Sequence, residues 1–112
     1  MQKRDAVFTL ACSGKSSRLI RLDEILYAEI FLSELKIHLK DGGSVTGVGK
    51  LSEMLAQLPE SWFYRCHRSF VVNLEEVVGI RRFDFLLENG RHVPIAQRKY
   101  GEAMRVLSLY KG

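Results

Sequence analysis

Between Phe63 and Asn73 a cluster of polar side chains, Arg65 followed by His67, Arg68 and Ser69, stands between two apolar, β-compatible runs. A strand at the centre of a core would not carry such a cluster. Guanidinium, imidazole and hydroxyl groups together suit phosphate oxygens and base edges, and one arginine can donate two hydrogen bonds to a guanine. On the residues alone a solvated turn, with Asn73 capping the next segment, accounts for the cluster equally well. The same stretch sets Cys66 beside His67, the pairing a thiol nucleophile and its base would need. Neighbouring side chains on a strand point to opposite faces, so the expected arrangement is a buried thiol next to an exposed imidazole. Gly42, Gly43, Gly47 and Gly49 lack the spacing of a phosphate-binding or dinucleotide loop. No enzyme is expected here, and no cofactor.

Charge extends the case for a polyanionic partner. The chain carries 17 Lys and Arg against 13 Asp and Glu, a formal net charge of +4. Residues 1–22 hold five basic and one acidic side chain, residues 23–62 three and seven, and residues 63–112 nine and five. Basic ends around an acidic middle can form an electrostatic footprint, although basic surface alone is commonly just solvation. Cys12 and Cys66 show neither a Cys-x-x-Cys pair nor a flanking His/Cys ladder, so neither zinc nor a disulfide framework is signalled and reduced thiols are expected. The start of the chain is charged, the apolar run after it is too short for a signal sequence, and no stretch approaches a membrane span. These features suit a soluble, cytoplasmic protein.

The elements that must position the polar cluster are short. With 112 residues, 46% of them hydrophobic, the chain fits one domain, 1–112, with a core from about 7 to 107. Val7 to Cys12 reads as a strand, Ser13-Gly14-Lys15-Ser16 as a turn, Arg18 to Leu22 as a return strand, and Leu26 to Phe31 as a further extended run. Leu35, Ile37 and Leu39 alternate with Lys36, His38 and Lys40, which predicts a strand with one buried and one solvated face. Asp41-Gly42-Gly43 turns it into Ser44 to Val48. Leu51, Leu55 and Leu58, with Met54, change the period to that of a short helix over Lys50 to Leu58, which Pro59 stops. Beyond it Trp62 to Cys66, Phe70 to Val72 and Val77 to Ile80 are β-rich. Phe83 to Leu87 and Arg91 to Ile95 form a hairpin about Glu88-Asn89-Gly90. From Gln97 a helix places Tyr100, Ala103, Met104 and Leu107 on one side and Arg98, Glu102 and Arg105 on another. Seven to nine strands and two short helices make a mainly β domain.

Several of these features recur together in one family. Phe63-x-Arg65-x-His67-Arg68-Ser69-x-x-Val72-Asn73, the Lys40-Asp41-Gly42-Gly43 hairpin before it, the leucine-rich helix, and Asn89-Gly90 followed by Val93-Pro94-Ile95 and a terminal helix resemble the LytTR DNA-binding domain. The resemblance runs from about Val7 to Leu107 in the family's order. It implies several short antiparallel sheets stacked side by side with two short helices, and sequence-specific binding of double-stranded DNA by loops that enter successive major grooves. It also implies the output domain of a two-component response regulator, with no receiver domain in this chain and one in cis if the domain is excised. Two protomers would bind direct repeats, associating weakly.

Three places match the family's DNA-reading loops. The first is the bend at Ser33, with Lys36 beyond it. The second is His67-Arg68-Ser69, where Arg68 is the first choice for a base contact and Arg65, His67 and Ser69 meet phosphates or brace the loop. The third is Ala96-Gln97-Arg98-Lys99. There Ala96 and Gln97 depart from the family's Ser-Arg-Arg, which moves the expectation to Arg98, with Gln97 able to read adenine through its amide. Lys36 and Lys50 fit phosphate contacts. The alternative is an interaction or oligomerisation module on the same fold, docking through the terminal helix near Leu109 and Tyr110. RNA is disfavoured because no exposed strand presents an alternating aromatic pair.

Overall fold

The computed structural model describes residues 6–59 and 61–111. The charged start Met1–Asp5, Glu60 and Gly112 belong to the expected domain but lie outside the described residues. Among the described residues ten strands form three antiparallel sheets, where seven to nine had been expected. β1 (Val7–Ala11) and β2 (Ser17–Arg21) make a two-stranded ribbon. β3 (Ile25–Phe31), β4 (Glu34–Leu39), β5 (Ser44–Val48), β6 (Phe63–His67) and β7 (Phe70–Asn73) make a central sheet in the order β5-β4-β3-β7-β6. β8 (Val77–Arg81), β9 (Asp84–Leu87) and β10 (His92–Pro94) make the third. A short helix α1 (Leu51–Ala56) joins β5 to β6, and α2 (Tyr100–Lys111) closes the described chain after a 3-10 turn at Gln97–Lys99.

The central sheet is covered on both faces, which divides the interior into two cores. On one face Phe8, Leu10, Ile20 and Leu22 of the ribbon region and Leu51, Met54 and Leu58 around α1 pack against Ala28, Leu35, Ile37 and Val71. On the other, Phe85, Leu87 and Val93 of the third sheet, Ile95 just after it, and Ala103 of α2 pack against Tyr27, Tyr64, Cys66 and Val72. Gly47 lets the ribbon approach closely: a Cβ there would lie 2.3 Å from the Ala11 carbonyl oxygen and 2.6 Å from Leu10 Cγ. Asn73 locks the middle of the sheet, its amide donating to the Ile25 carbonyl (2.8 Å) and its Oδ1 accepting from the Glu75 N–H (3.0 Å) as the cap the sequence suggested.

Two expectations about single side chains change. His38, expected on a solvated face, is 7% exposed. Alternation along β4 assigned its face correctly, but that face is covered by Tyr27, stacked on the His38 ring at 4.2 Å, and by Arg91. Met104 was placed on one side of the terminal helix with Tyr100, Ala103 and Leu107 but is 46% exposed; Ala103, with Val106, Leu107 and Tyr110, packs on the core. The apolar face of α2 lies about a quarter-turn from where Met104 would put it.

Candidate nucleic-acid interface

Antiparallel pairing brings the polar turns to one rim of the central sheet. β3 and β4 are joined by the two residues Leu32 and Ser33, closing on the pair Phe31 and Glu34. β6 and β7 are joined by Arg68 and Ser69, closing on His67 and Phe70. Since β7 lies beside β3 with Phe70 opposite Glu29, both turns emerge at the same end, and the Ile30 N–H donates to the Ser69 carbonyl (3.0 Å) between them. β5 ends there too, with Val48 opposite Glu34, so Lys50 enters α1 from the same rim. The 3-10 turn at Gln97–Lys99 is fastened to β6 through the Ala96 N–H on the Cys66 carbonyl (2.8 Å). Lys36, half-buried, is set back along β4 opposite Glu29 and Thr46.

The polar side chains of this rim divide by what holds them. Arg65 donates from a guanidinium nitrogen to the Arg68 carbonyl (2.7 Å), and the Ser69 N–H donates to His67 Nδ1 (3.0 Å). Lys99 Nζ donates to the Arg65 carbonyl (2.9 Å) and lies 6.0 Å from the centre of the Tyr64 ring. Arg65, His67 and Lys99 therefore brace the turns. Arg68, Gln97 and Arg98 are exposed, and among the described residues their side chains have no hydrogen-bond or ion-pair partner, as is also true of Ser33 and Lys50. Arg65, Cys66 and His67 belong to β6 itself, so the expected polar loop is shorter than its sequence suggested. The bulge between Tyr64 and His67 lets a strand carry polar side chains to the rim while Cys66 stays in the core.

Burial decides the chemistry of two groups beside the rim. It pushes the Cys66 thiol up to about 12, outweighing the opposing effects of a backbone hydrogen bond and of Lys99, so the thiol stays protonated beside its basic neighbours. Tyr64 is raised too, by burial first and then by the Glu102 carboxylate. Among the described residues there is no group of three or more His, Cys, Asp or Glu that could hold a metal, and no helix long and apolar enough to cross a membrane.

Comparison with known proteins places this arrangement. Residues 15–108 match the LytTr DNA-binding domain family. The chain belongs to the LytTR DNA-binding domain family. Its LytTR fold is shared by the LytTr DNA-binding domain of a protein described as a methyl-accepting/DNA response regulator from Bacillus cereus, with a TM-score of 0.73 and 26% identity over 93% of this chain and 97% of that one. An uncharacterised response regulatory protein of Vibrio cholerae serotype O1 is 31% identical over 104 residues, covering 90% of this chain and 40% of the relative. The LytTR domain here thus spans 40% of that relative's length. It is a DNA-binding domain of the kind carried by response regulators, and not a catalytic one.

The LytTR rim holds more than the sequence reading singled out. Arg81 and Arg82 are exposed at the turn between β8 and β9, with Arg82 in the left-handed region at φ 58°. The Ile95 N–H on the Phe83 carbonyl (2.8 Å) and the Phe83 ring on Tyr100 (5.4 Å between centres) set this turn beside Gln97–Lys99. The sequence reading did not single out the Arg-Arg pair ahead of Phe83-Asp84, since nothing local connects it to the other loops.

Proposed function

We propose that this domain is the output half of a bacterial response regulator and reads double-stranded DNA by sequence, with the turns at Ser33, at Arg68-Ser69 and at Gln97-Arg98 in the major groove. The observation that carries the reading is the division of labour at the rim. Arg65, His67 and Lys99 use their polar groups on main-chain carbonyls and amides, which fixes the turns and leaves Arg68, Gln97 and Arg98 exposed and, among the described residues, unengaged. A solvated turn has no need of that internal bracing.

Arg68 suits a base edge, Arg98 and Gln97 a second, and Lys36 and Lys50 the backbone between them. The molecule measures 40 × 33 × 25 Å, a long axis comparable with the ~34 Å of one turn of B-DNA. The acidic Glu34, Glu53 and Glu102 lie close to the rim and keep the site from being a featureless cationic patch, which favours selectivity over general adhesion. A receiver domain in cis is the partner that a chain spanning 40% of a response regulatory relative implies. Two protomers on a direct repeat, associating weakly until DNA joins them, complete the reading.

The test is selection from a randomised duplex pool, followed by anisotropy titrations of the enriched and random duplexes at two salt concentrations. Arg68→Ala is expected to cost about 1 to 3 kcal/mol on the enriched sequence and to relax one base position, whereas Lys50→Ala weakens all duplexes about equally. Equal losses for Arg68→Ala on enriched and random DNA would remove it from base reading. No enrichment at all would favour a docking module acting through the exposed Met104 and Leu109 of α2.

A further inference from the structure

We infer that Phe31 and Leu32, at the tip of the β3–β4 hairpin, are an apolar reader that meets the C5 methyl groups of thymine in the major groove. The inference rests on the DNA reading proposed above and adds to it a chemistry that the charged side chains do not supply.

Phe31 is 74% and Leu32 87% exposed, adjacent at the end of a hairpin whose other apolar residues face the cores. Leu32 has φ 58°, a left-handed conformation that L residues avoid and that hairpin turns fill with Gly, Asn or Asp. A leucine here weakens the turn locally and gains no burial in return, so the benefit lies outside the folded chain. Its surroundings indicate what that is. Leu32 shares a shallow groove with Ser33, Val48, Lys50, Glu53 and Arg65, and the turn carrying Arg68 is tied to this hairpin through Ile30 and Ser69. An apolar tip set among Lys50 and Arg68 and the carboxylates of Glu34 and Glu53 is poorly suited to an apolar protein partner. It complements a groove whose walls are phosphates and whose floor carries methyl groups.

The patch is also too small for a protein interface. Among the described residues only Val48, half exposed, extends it, opposite Glu34 on β5. The other exposed large apolar side chains stand on separate elements: Val7 and Leu19 on the ribbon, Val78 and Phe83 on the third sheet, Met104 and Leu109 on α2. A stable protein contact needs about 800 Å² on each partner. In the major groove, the thymine methyl is the apolar feature that distinguishes one base pair from another, and one methyl is matched by one or two side chains.

The test replaces each thymine of the enriched duplex singly with deoxyuridine, which deletes the methyl and leaves the hydrogen-bonding edge unchanged. Wild-type, Leu32→Gly and Phe31→Thr chains are then titrated on each duplex. Glycine is at ease at the φ of Leu32 and threonine in a strand, so both variants keep the hairpin. Deoxyuridine at one or two positions is expected to weaken wild-type binding about three- to fivefold, the size of one buried methyl. Leu32→Gly or Phe31→Thr should bind the paired thymine and deoxyuridine duplexes equally at those positions. Indifference of the wild type to every deoxyuridine, or an undiminished penalty in both variants, overturns the methyl contact while Arg68-dependent selection leaves the DNA reading standing. A wild-type chain that enriches no sequence overturns both.

Discussion

Arg65 and Arg68 carry the same guanidinium three positions apart, and the structure separates them completely. Arg65 reaches back to the Arg68 carbonyl, and the Arg68 side chain has no hydrogen-bond or ion-pair partner among the described residues. The sequence showed that this stretch was polar where a core strand should be apolar, and it ranked Arg68 first. It could not show that Lys99 would hold the Arg65 carbonyl from 34 positions away, because that contact exists only once the 3-10 turn docks on β6. Nor did charge and periodicity point to Phe31 and Leu32, whose apolar character reads as ordinary strand until the turn exposes them. Cys66 gives a check at this scale. A fully buried thiol raised to about 12 offers almost no thiolate near neutrality, so iodoacetamide at pH 7.5 should label the half-buried Cys12 and spare Cys66 in the native chain. Comparable labelling of both, by mass spectrometry of the digested protein, would show that the second core opens readily.

Elements were legible where a local rule decides them. Asp41-Gly42-Gly43 turns as its residues predict, with Gly42 at φ 94° and the Asp41 carboxylate accepting from the Gly43 N–H (2.7 Å). Asn89-Gly90 does the same before β10, with Gly90 at φ 86° and Asn89 Oδ1 accepting from the Arg91 N–H (3.0 Å). Alternation along β4 found the correct faces. It could not say that both faces would be covered, since period 2 reports direction and not what lies opposite. The crossing of β1 over β5 was equally hidden, because Gly47 looked like any glycine in a strand. Gly47→Ala would press a methyl into the Ala11 carbonyl and Leu10, and the backbone on one side of that contact cannot yield cheaply. Denaturant unfolding should show a loss on the order of 1 to 3 kcal/mol, and a midpoint within error of wild type would mean that the ribbon shifts freely.

At the scale of the whole molecule, one polar cluster ties the central sheet to the third. His38 Nε2 lies 2.6 Å from the Glu29 carboxylate, while Arg91, from the hairpin of the third sheet, reaches Tyr27 Oη at 3.2 Å and His38 Nδ1 at 3.4 Å. Only the neutral ring protonated on Nε2 satisfies both neighbours, donating to Glu29 and accepting from Arg91. Burial lowers the His38 pKa below 6.5, with Arg91 and Lys36 acting in the same direction, and together they outweigh the hydrogen bond and charge of Glu29. The unfolded chain therefore binds a proton that the folded chain refuses as pH falls below about 6.5, and stability falls with it until the folded value is passed. Above that pH the histidine contributes no slope. Denaturation midpoints at pH 7 and pH 5 should converge in His38→Gln relative to wild type, and an unchanged difference would place the acid sensitivity in the carboxylates instead.

The rim turns lie outside both cores. Arg68, Gln97, Arg98, Ser33 and Leu32 are exposed and belong to neither core cluster, and the bracing beneath them is carried by other residues or by main chain. Altering what the rim recognises is therefore largely uncoupled from keeping the fold. Such a scaffold can be retargeted by changing a handful of outward-facing side chains, and a lineage that duplicates it can diverge in preference without first acquiring spare stability.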